Sequence, residues 1–231
     1  MKRRMAGLLA AMMILTAGTP RVRASDRPNY LALTFDDGPS GELTEQLLDG
    51  LAERDVKATF FVCGYRVAQF PETLCRMAEE GHEIGLHTCE HTMMGEMPKD
   101  AVLDDLSECR SQVAEVCGVS PRLFRPPGGA YCDETLAAAE ELGLSVILWS
   151  VDPRDWDGKA YAGVLPTILR DAAPGRIVLM HDLSAHSVDC ALAAIDRLQA
   201  EGYEFCTVSQ LAAVYDTPLL PGQTYRSFCP G

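Results

Sequence analysis

Short apolar segments alternate with helical patterns along the chain. The first segment, residues 30–35, lies between Pro28 and a polar turn, and such a continuous apolar run predicts a buried strand. Leucines then recur at helical spacing, at Leu43, Leu47, Leu48 and Leu51. Further strands are predicted at residues 58–62, 83–86, 123–124, 144–150, 176–180 and 204–208. Because a helix or helix-sized segment follows each strand, the strands are expected to pair in parallel.

The number of repeats indicates the fold class. Seven strand–helix repeats in about 200 residues are typical of a small barrel, so we predict an α/β fold. Trp149 lies inside the apolar 144–150 segment and is expected to pack in the core rather than to stack on a sugar. The tail, residues 218–231, has no periodic pattern and is predicted to be irregular.

The first 24 residues are typical of an export signal. Lys2-Arg3-Arg4 is basic, residues 5–18 form an apolar run, and Val22-Arg23-Ala24 offers the small side chains that a signal peptidase selects. The run is shorter than the ~20 residues that span a bilayer as a helix. An uncleaved anchor or a buried helix is the alternative. We therefore expect a signal peptide at 1–24, a single catalytic domain at 25–231, and a secreted or extracytoplasmic protein.

Charge and composition exclude several classes of protein. The 231-residue chain is 47% hydrophobic and 23% charged, which is ordinary for a globular protein and excludes a disordered or polytopic membrane protein. Its net charge is −13. Beyond the first 24 residues, 15 basic residues stand against 33 acidic ones. A chain with this excess of acidic residues would repel a phosphate backbone. Nucleic acid is therefore not an expected partner.

The cysteines do not form a recognisable framework. The chain has nine, an odd number, and no two of them are spaced as Cys-x-x-Cys. This spacing argues against a zinc ribbon and against a thioredoxin-type redox site. At least one cysteine lacks an intramolecular partner, and several are expected to be buried thiols that pack as small hydrophobic groups.

Polar residues cluster where the predicted strands end. They are Asp36 and Asp37 after the first strand, His87 and His91 after the third, Arg125 after the fourth, Asp152 and Asp155 after the fifth, and His181 after the sixth. In a parallel barrel all carboxyl ends of the strands lie on one face, and the active sites of such barrels are built there. This distribution predicts an enzyme.

His87 and His91, separated by three residues, form a metal-binding pattern. Their imidazoles lie one turn apart in a helix or on one side of a tight loop, and either arrangement can hold a divalent ion with Asp37 as a third ligand. Such a set leaves coordination positions open for water and substrate, as in catalytic sites. Cys89, between the histidines, would face away from both in a helix and is expected to be an ordinary thiol.

The adjacent Asp36 and Asp37 predict two different roles. A carboxylate that binds a metal stays ionised, whereas a free neighbour can take a proton from the attacking water. The structural alternative is an Asx turn with Gly38 and Pro39, because Asp-Gly-Pro forms turns in any protein. The local sequence leaves both interpretations open.

Five motifs, in order, resemble those of the polysaccharide deacetylases, the NodB-type carbohydrate esterases. The motifs are Thr34-Phe35-Asp36-Asp37-Gly38, His87-Thr88-Cys89-Glu90-His91, Arg125-Pro126-Pro127-Gly128, Asp152-Pro153-Arg154-Asp155-Trp156 and Leu179-Met180-His181. The resemblance extends from about residue 30 to 214. It implies a distorted (β/α)7 barrel that removes N- or O-acetyl groups from a sugar polymer. It also implies a divalent metal, usually zinc, with cobalt as an alternative.

The resemblance implies a role for each matching residue. It gives Asp36 as general base, Asp37, His87 and His91 as metal ligands, Arg125 as the partner of Asp36, His181 as general acid oriented by Asp155, and Trp156 and Leu179 as walls of the acetyl pocket. Gly128 stands where family members often carry a tyrosine whose backbone N–H helps to bind the oxyanion. A backbone donor needs no side chain, so Gly128 keeps that expectation, and the nearby Tyr131 becomes the candidate ring for a sugar contact.

Three functions follow as hypotheses. The favoured one is a metal-dependent deacetylase that acts on N-acetylglucosamine units, with those of bacterial peptidoglycan as the expected substrate. An acetyl-xylan esterase would use the same residues on an ester. A non-catalytic glycan-binding module on the same fold would have lost a base, a ligand or an acid, and this sequence has all of them. The expected partner is the polysaccharide substrate, and the chain is expected to be monomeric without a membrane span after signal cleavage.

Overall fold

The computed structural model describes residues 29–158 and 161–228. The predicted signal peptide at 1–24 lies outside the described residues. In the part that is described, no helix is both long and apolar enough to cross a bilayer.

Strands and helices alternate along the described chain, as the hydrophobic pattern predicts. The strands are β1 (Asn29–Asp36), β2 (Thr59–Val62), β3 (Glu83–Leu86), β4 (Leu123–Phe124), β5 (Ser145–Ile147), β6 (Ile177–His181), β7 (Tyr203–Phe205) and β8 (Thr224–Tyr225). The helices are α1 (Glu42–Glu53), α2 (Gly64–Gln69), α3 (Pro71–Glu79), α4 (Lys99–Cys117), α5 (Asp133–Glu141), α6 (Val164–Asp171), α7 (Ala185–Ala200) and α8 (Val208–Val214).

The strands form one curled parallel sheet in the order β6-β1-β2-β3-β4-β5-β8. Two strands pair with successive parts of the long strand β1: β7 pairs with residues 29–31 and β6 pairs with residues 32–36. A parallel bridge between Val151 and Val178 brings the chain after β5 against β6, which closes the curl. This sharing makes the barrel irregular. The predicted α/β class and distorted (β/α)7 barrel are confirmed.

The alternation of side chains along β1 decides which residues face the inside of the barrel. Leu31, Leu33 and Phe35 are buried in the larger apolar cluster, whereas Ala32 belongs to a second cluster. Since successive side chains of a strand point to opposite faces, Asp36 shares the face of Ala32. The first predicted catalytic aspartate therefore lies at the end of the inward-facing row.

Two predictions about the ends of elements are wrong. The tail is not irregular throughout, because its residues 224–225 form β8 and pair with β5, which would otherwise be an open edge. The strand predicted to reach residue 208 ends at Phe205. There Thr207 caps α8 by accepting the backbone N–H of Gln210, and the Gln210 side chain accepts the N–H of Thr207. This reciprocal cap favours the start of a helix over one more strand residue.

Candidate active site

The register of β1 against β6 brings two predicted catalytic residues together. Asp36 is the last residue of β1 and His181 the last of β6, and the two are direct cross-strand partners. They are 145 positions apart in the sequence, so only the parallel pairing of the two strands makes them neighbours. Their position at the carboxyl ends of the strands is the one that the sequence pattern predicts for an active site.

A buried arginine holds the Asp36 carboxylate. Arg125 Nη1 donates to Asp36 Oδ1 at 2.7 Å and to the Thr34 hydroxyl at 2.7 Å. The other guanidinium nitrogens donate to the carbonyls of Ile147 and Leu148, both at 3.1 Å. Arg125 is 0% exposed, and its burial lowers its pKa while Asp36 opposes that shift. With its donors bound on several sides, Arg125 fixes the orientation of Asp36.

Asp37, His87 and His91 form a group that could bind a metal. Their ligand atoms lie within 4.8 Å of one another, and the Nε2 atoms of both histidines are 3.3 Å from Asp37 Oδ1. The ring of His87 is oriented from behind, since its Nδ1 lies 2.7 Å from the carbonyl of Arg125, and this contact leaves Nε2 directed at Asp37.

Asp37 itself supports this interpretation. Its Oδ1 is buried and has no hydrogen-bond partner in the described part of the chain, as expected for an oxygen that serves as a metal ligand. Burial is the largest influence and acts to raise the pKa of Asp37, but His87, His181 and His91 together lower it below the ordinary value. An ionised carboxylate beside two imidazoles fits a divalent metal well.

The backbone around the metal group is held in a rare conformation. Asp37, Thr88 and His91 have φ angles of 72°, 68° and 54°, a region that side chains other than glycine seldom adopt. Such residues cost about 1–3 kcal/mol each and cluster at functional sites. The segment 87–91 is therefore a loop and not a helix, which decides between the two alternatives that the sequence left open. The Asx-turn alternative is not supported either, because Asp36 binds Arg125 and Asp37 faces both imidazoles.

His181 is paired with a second buried carboxylate. Its Nδ1 lies 2.8 Å from Asp155 Oδ1, and Asp155 is 1% exposed. Burial acts to lower the pKa of His181, but the hydrogen bond and charge of Asp155, with the charges of Asp36 and Asp37, raise it to about 9. His181 is therefore protonated at neutral pH and directs Nε2 toward Asp37, at 4.0 Å from Oδ2.

These groups line one cavity of about 360 Å³. Its walls are formed by Asp36, Asp37, His87, His91, Gly128, Trp149, Asp152, Trp156, Leu179 and His181. Gly128, Trp156 and Leu179, which were expected to contact substrate, are therefore brought together with the catalytic and metal-binding candidates. Arg125 and Asp155 lie behind the walls, and the half-buried Tyr131 does not line the cavity.

Two residues near the site were missed or misjudged from the sequence. Trp149 was expected in the core, and the half-buried indole does pack against the second apolar cluster; but β5 ends at Ile147, and the indole also forms a wall of the cavity. Its position just after a strand, where the polar candidates also lie, was the signal that could have identified it. Asp182 follows His181, is 0% exposed, and accepts a hydrogen bond from the hydroxyl of Thr44.

Asp182 also shapes the turn that carries Asp37. A Cβ added to Gly38 would lie 2.5 Å from Asp182 Oδ2, so only glycine fits against this carboxylate. The backbone carbonyl of Asp182 accepts the hydroxyl of Ser40 at 2.5 Å. Burial raises the pKa of Asp182 to about 6. No local pattern in the sequence identifies this residue, because its partners are about 140 positions away.

Comparison with known proteins agrees with this geometry. A family model described as polysaccharide deacetylase matches residues 23–147. The chain is 38% identical over 184 residues to the peptidoglycan-N-acetylmuramic acid deacetylase PdaC of Bacillus subtilis, which covers 80% of this chain and 39% of PdaC. The solved structure of PdaC has a TM-score of 0.77 with this chain, at 37% identity, and covers 82% of this chain and 92% of that one.

Two further proteins are similar over most of their own length. A peptidoglycan-N-acetylglucosamine deacetylase of Bacillus cereus is 36% identical over 186 residues, which are 78% of this chain and 87% of that protein. A family 4 acetyl xylan esterase from Clostridium thermocellum, solved with a cobalt ion, has a TM-score of 0.80 at 29% identity, with 86% of this chain and 98% of that chain covered.

The extent of these matches differs between the relatives. The chain spans about two fifths of the length of the curated relatives it matches first. The family model nevertheless covers more than half of the chain, and the shorter Bacillus cereus relative is matched over most of its length. The protein therefore belongs to the polysaccharide deacetylase family.

Proposed function

We propose that the protein is a metal-dependent deacetylase that removes N-acetyl groups from the N-acetylglucosamine units of peptidoglycan. One observation carries the proposal. The Asp36–Arg125 pair and the His181–Asp155 pair both reach the cavity that contains Asp37, His87 and His91. A base, an acid and a metal-binding group in one cavity are the parts that amide hydrolysis needs.

The metal-binding group, the base and the acid each have a separate role in the proposed hydrolysis. When bound, a divalent metal at Asp37, His87 and His91 would polarise the acetyl carbonyl and lower the pKa of the attacking water. Asp36 takes a proton from that water, and Arg125 keeps the carboxylate aimed at it. His181, kept protonated by Asp155, gives a proton to the nitrogen of the leaving amine.

The walls of the cavity supply the remaining interactions. The backbone N–H of Gly128 donates to the oxyanion, a role that depends on position and not on a side chain. Trp156 and Leu179 enclose the acetyl methyl group, and Trp149 joins them as a wall that sequence analysis did not include. Tyr131 remains the candidate for a more distant sugar contact.

Zinc is the proposed metal, with cobalt as the alternative. Two imidazole nitrogens and one carboxylate oxygen are ligands that zinc takes in catalytic sites with open positions. The structure of the similar esterase from Clostridium thermocellum was solved with a cobalt ion.

Peptidoglycan is favoured as substrate by the similar proteins. Several of them are named for the deacetylation of peptidoglycan N-acetylglucosamine or N-acetylmuramic acid. Since that polymer lies outside the cytoplasm, we further propose that residues 1–24 export the chain, that the protein works as a monomer at the cell wall, and that its one catalytic domain comprises residues 25–231.

A second candidate is acetyl-xylan esterase activity, which the similarity to the Clostridium thermocellum enzyme supports. An ester would use the same base and metal-binding group, but its alkoxide leaving group needs less help from the acid than an amine does. The glycan-binding module without catalysis is not favoured, because the base, the acid and the metal-binding group all face the cavity.

The experiment is a screen for acetyl loss by mass spectrometry. The zinc-loaded protein is incubated with peptidoglycan fragments, chitin oligomers and acetylated xylan, beside the Asp36→Asn variant as a matched inactive control. The proposal is supported if the unaltered protein removes acetyl from peptidoglycan fragments and the Asp36→Asn variant does not. Loss from xylan alone favours the esterase, and no loss from any substrate by folded, metal-loaded protein contradicts both.

A further inference from the structure

Two thiols contact the loop that carries the metal-binding histidines, and a third belongs to it. This loop, the ligand loop, comprises residues 87–91. The buried thiol of Cys63 lies 3.5 Å from the carbonyl of His87, and that of Cys109 lies 3.5 Å from the carbonyl of Thr88. Cys89 is itself part of the ligand loop, midway between the two histidines. Oxidation of these thiols would therefore act directly on the backbone that carries His87 and His91.

Cys89 is fastened to helix α4 by several contacts. Its backbone N–H donates to Asp105 Oδ1 at 2.9 Å, and its Sγ lies 3.4 Å from the carbonyl of Asp105. Asp105 is one helical turn before Cys109 on α4, so the side chains of Asp105 and Cys109 lie on the same face of the helix. Cys109 Sγ in turn lies 3.5 Å from the carbonyl of Thr88, the residue before Cys89, so both thiols lie where the ligand loop meets α4. The neighbouring Cys89 thiol, together with burial, raises the pKa of Cys109.

Other described thiols contact carbonyl oxygens, either in the ligand loop (Cys63) or away from it (Cys75 and Cys132). Cys63 is turned to the carbonyl of His87, Cys75 contacts the carbonyl of Val116 at 3.2 Å, and Cys132 contacts that of Met94. All eight cysteines among the described residues are free thiols in the structure. Disulfides form in oxidising environments outside the cytoplasm, to which the proposed export would bring the chain, and thiols on adjoining segments can be joined with the least movement of the backbone.

We propose that Cys89 and Cys109 are a modification site, where oxidation to a disulfide ties the ligand loop covalently to α4. The half-buried Cys89 thiolate attacks a disulfide donor, RSSR, which forms a mixed disulfide and releases one RS⁻. The Cys109 thiolate then attacks the sulfur of Cys89 and releases the second RS⁻. Two protein thiols lose two electrons to the donor, which becomes two thiols. The second attack is the slow step, because the neighbouring Cys89 thiol and burial raise the pKa of Cys109 and so disfavour its thiolate.

The disulfide would stabilise the arrangement that binds metal. Thr88 and His91 hold left-handed backbone conformations on either side of Cys89, and in the reduced protein hydrogen bonds and apolar packing, without a covalent link, keep the segment on α4. A covalent link limits the conformations of the metal-free loop, so less freedom is lost when metal binds. This part rests on the proposed metal site, whereas the disulfide itself does not.

Peptide mapping tests the disulfide without reference to activity. Trypsin separates the relevant cysteines, with Cys63, Cys89 and Cys109 on residues 58–66, 77–99 and 100–110 respectively. The reduced full-length protein is incubated with or without oxidised glutathione, free thiols are alkylated, and the digest is analysed without reduction. We expect the 77–99 and 100–110 peptides to be joined only after oxidation. A folded protein in which these peptides stay separate, or in which 100–110 joins 58–66, would overturn the proposal.

Variants and a metal measurement complete the test. Cys109→Ser should abolish the linked peptide, whereas Cys75→Ser, which removes another half-buried thiol bound to a carbonyl, should leave it intact. Zinc affinity is measured for both redox forms by competition with a chromophoric chelator. Oxidation should tighten zinc binding roughly tenfold, the lower end of what supporting contacts contribute to a metal site. Equal affinity of the two forms would overturn the effect on metal. If neither form binds zinc, the proposed function fails while the peptide map still decides the disulfide.

Discussion

Asp155 holds His181 through both of its carboxylate oxygens, since Oδ1 lies 2.8 Å from the ring Nδ1 and Oδ2 accepts the backbone N–H of His181 at 2.8 Å. The first contact fixes the ring orientation and the second fixes the end of β6. Burial acts to lower the pKa of His181, but the hydrogen bond and negative charge of Asp155, with the charges of Asp36 and Asp37, raise it to about 9. The proposed acid is thus prepared for proton donation over the whole neutral range.

Replacement of Asp155 should move the alkaline limb of the pH profile. The acid works only while protonated, so kcat/KM should fall as the pH rises through the pKa of His181. Asp155→Asn removes the supporting charge, and the limb should move to lower pH by about 1 unit or more, with the acidic limb nearly unchanged. The profiles of both proteins are measured on one acetylated oligosaccharide.

The pH at which the alkaline limb falls tests the role of Asp155, whereas the maximal value of kcat/KM does not. The new amide can select the wrong ring tautomer and lower the whole curve without any change in pKa. An alkaline limb that stays in place or moves upward would show that Asp155 does not tune His181. Asp152, which lines the same cavity, would then become the candidate.

The sequence predicts the parts of the site that local patterns encode. The apolar run before Asp36 predicts β1 and the position where it ends. Because the carboxyl ends of parallel strands lie on one face of a barrel, the polar residues that follow the strands are predicted to lie together. The family motifs add the roles, including the pairing of Asp155 with His181, which no local pattern reveals. The alternation along β1 explains why Asp36 points into the barrel while Phe35 packs outward.

Other features depend on contacts between distant segments. Arg125 can be buried because the last residue of β5, Ile147, and the next residue, Leu148, present their carbonyls to it, and two isolated carbonyls leave no mark in a sequence. Strand β8 has only two residues and exists because it covers the edge of β5. The place of Trp149 follows from where β5 ends, and end positions are the least certain part of any pattern.

Removal of metal should abolish activity, and zinc or cobalt should restore it. The reason is the cluster of Asp37, His87 and His91, whose open positions are suited to bind water and substrate. Activity is measured after treatment with a chelator, with elemental analysis to verify removal, and again after each metal is added. Full activity in metal-free protein would exclude the metal mechanism.

His91→Ala separates loss of metal from loss of fold. The side chain of His91 is 44% exposed, so its truncation should leave the melting temperature of the metal-free protein nearly unchanged. Metal affinity and turnover should both fall, because one of three protein ligands is lost. The same truncation at His87 is a poor control, since that ring is buried and contacts the Arg125 carbonyl.

His82 should make the protein sensitive to acid independently of catalysis. Burial, with the charges of Lys57 and Arg76, lowers the pKa of His82 from 6.5 to about 4, and its Nδ1 accepts the N–H of Ala58. Glu80 lies 3.9 Å from Nε2, too far to offset the burial. A neutral folded histidine contributes stability that is present above pH 6.5 and is lost as the pH falls toward 4.

The variant His82→Gln retains an acceptor but cannot titrate. Between pH 7.5 and 5, the unaltered protein should lose on the order of 2 kcal/mol more unfolding free energy than this variant does. Urea titrations of both metal-free proteins at several pH values give the difference. Parallel curves would show that His82 is not responsible for any acid sensitivity.

Asp36 and Asp37 should respond differently to the same substitution. Asp36→Asn retains an oxygen for the hydrogen bond from Arg125 and leaves Asp37 beside both imidazoles, so metal should stay bound. Turnover should fall by ~10²-fold or more, as expected for a lost general base. Asp37→Asn removes the charged ligand, so it should lose metal as well as turnover. Zinc affinity and kcat are therefore measured on both variants. If Asp36→Asn abolished zinc binding and Asp37→Asn did not, the roles of the two aspartates would be reversed.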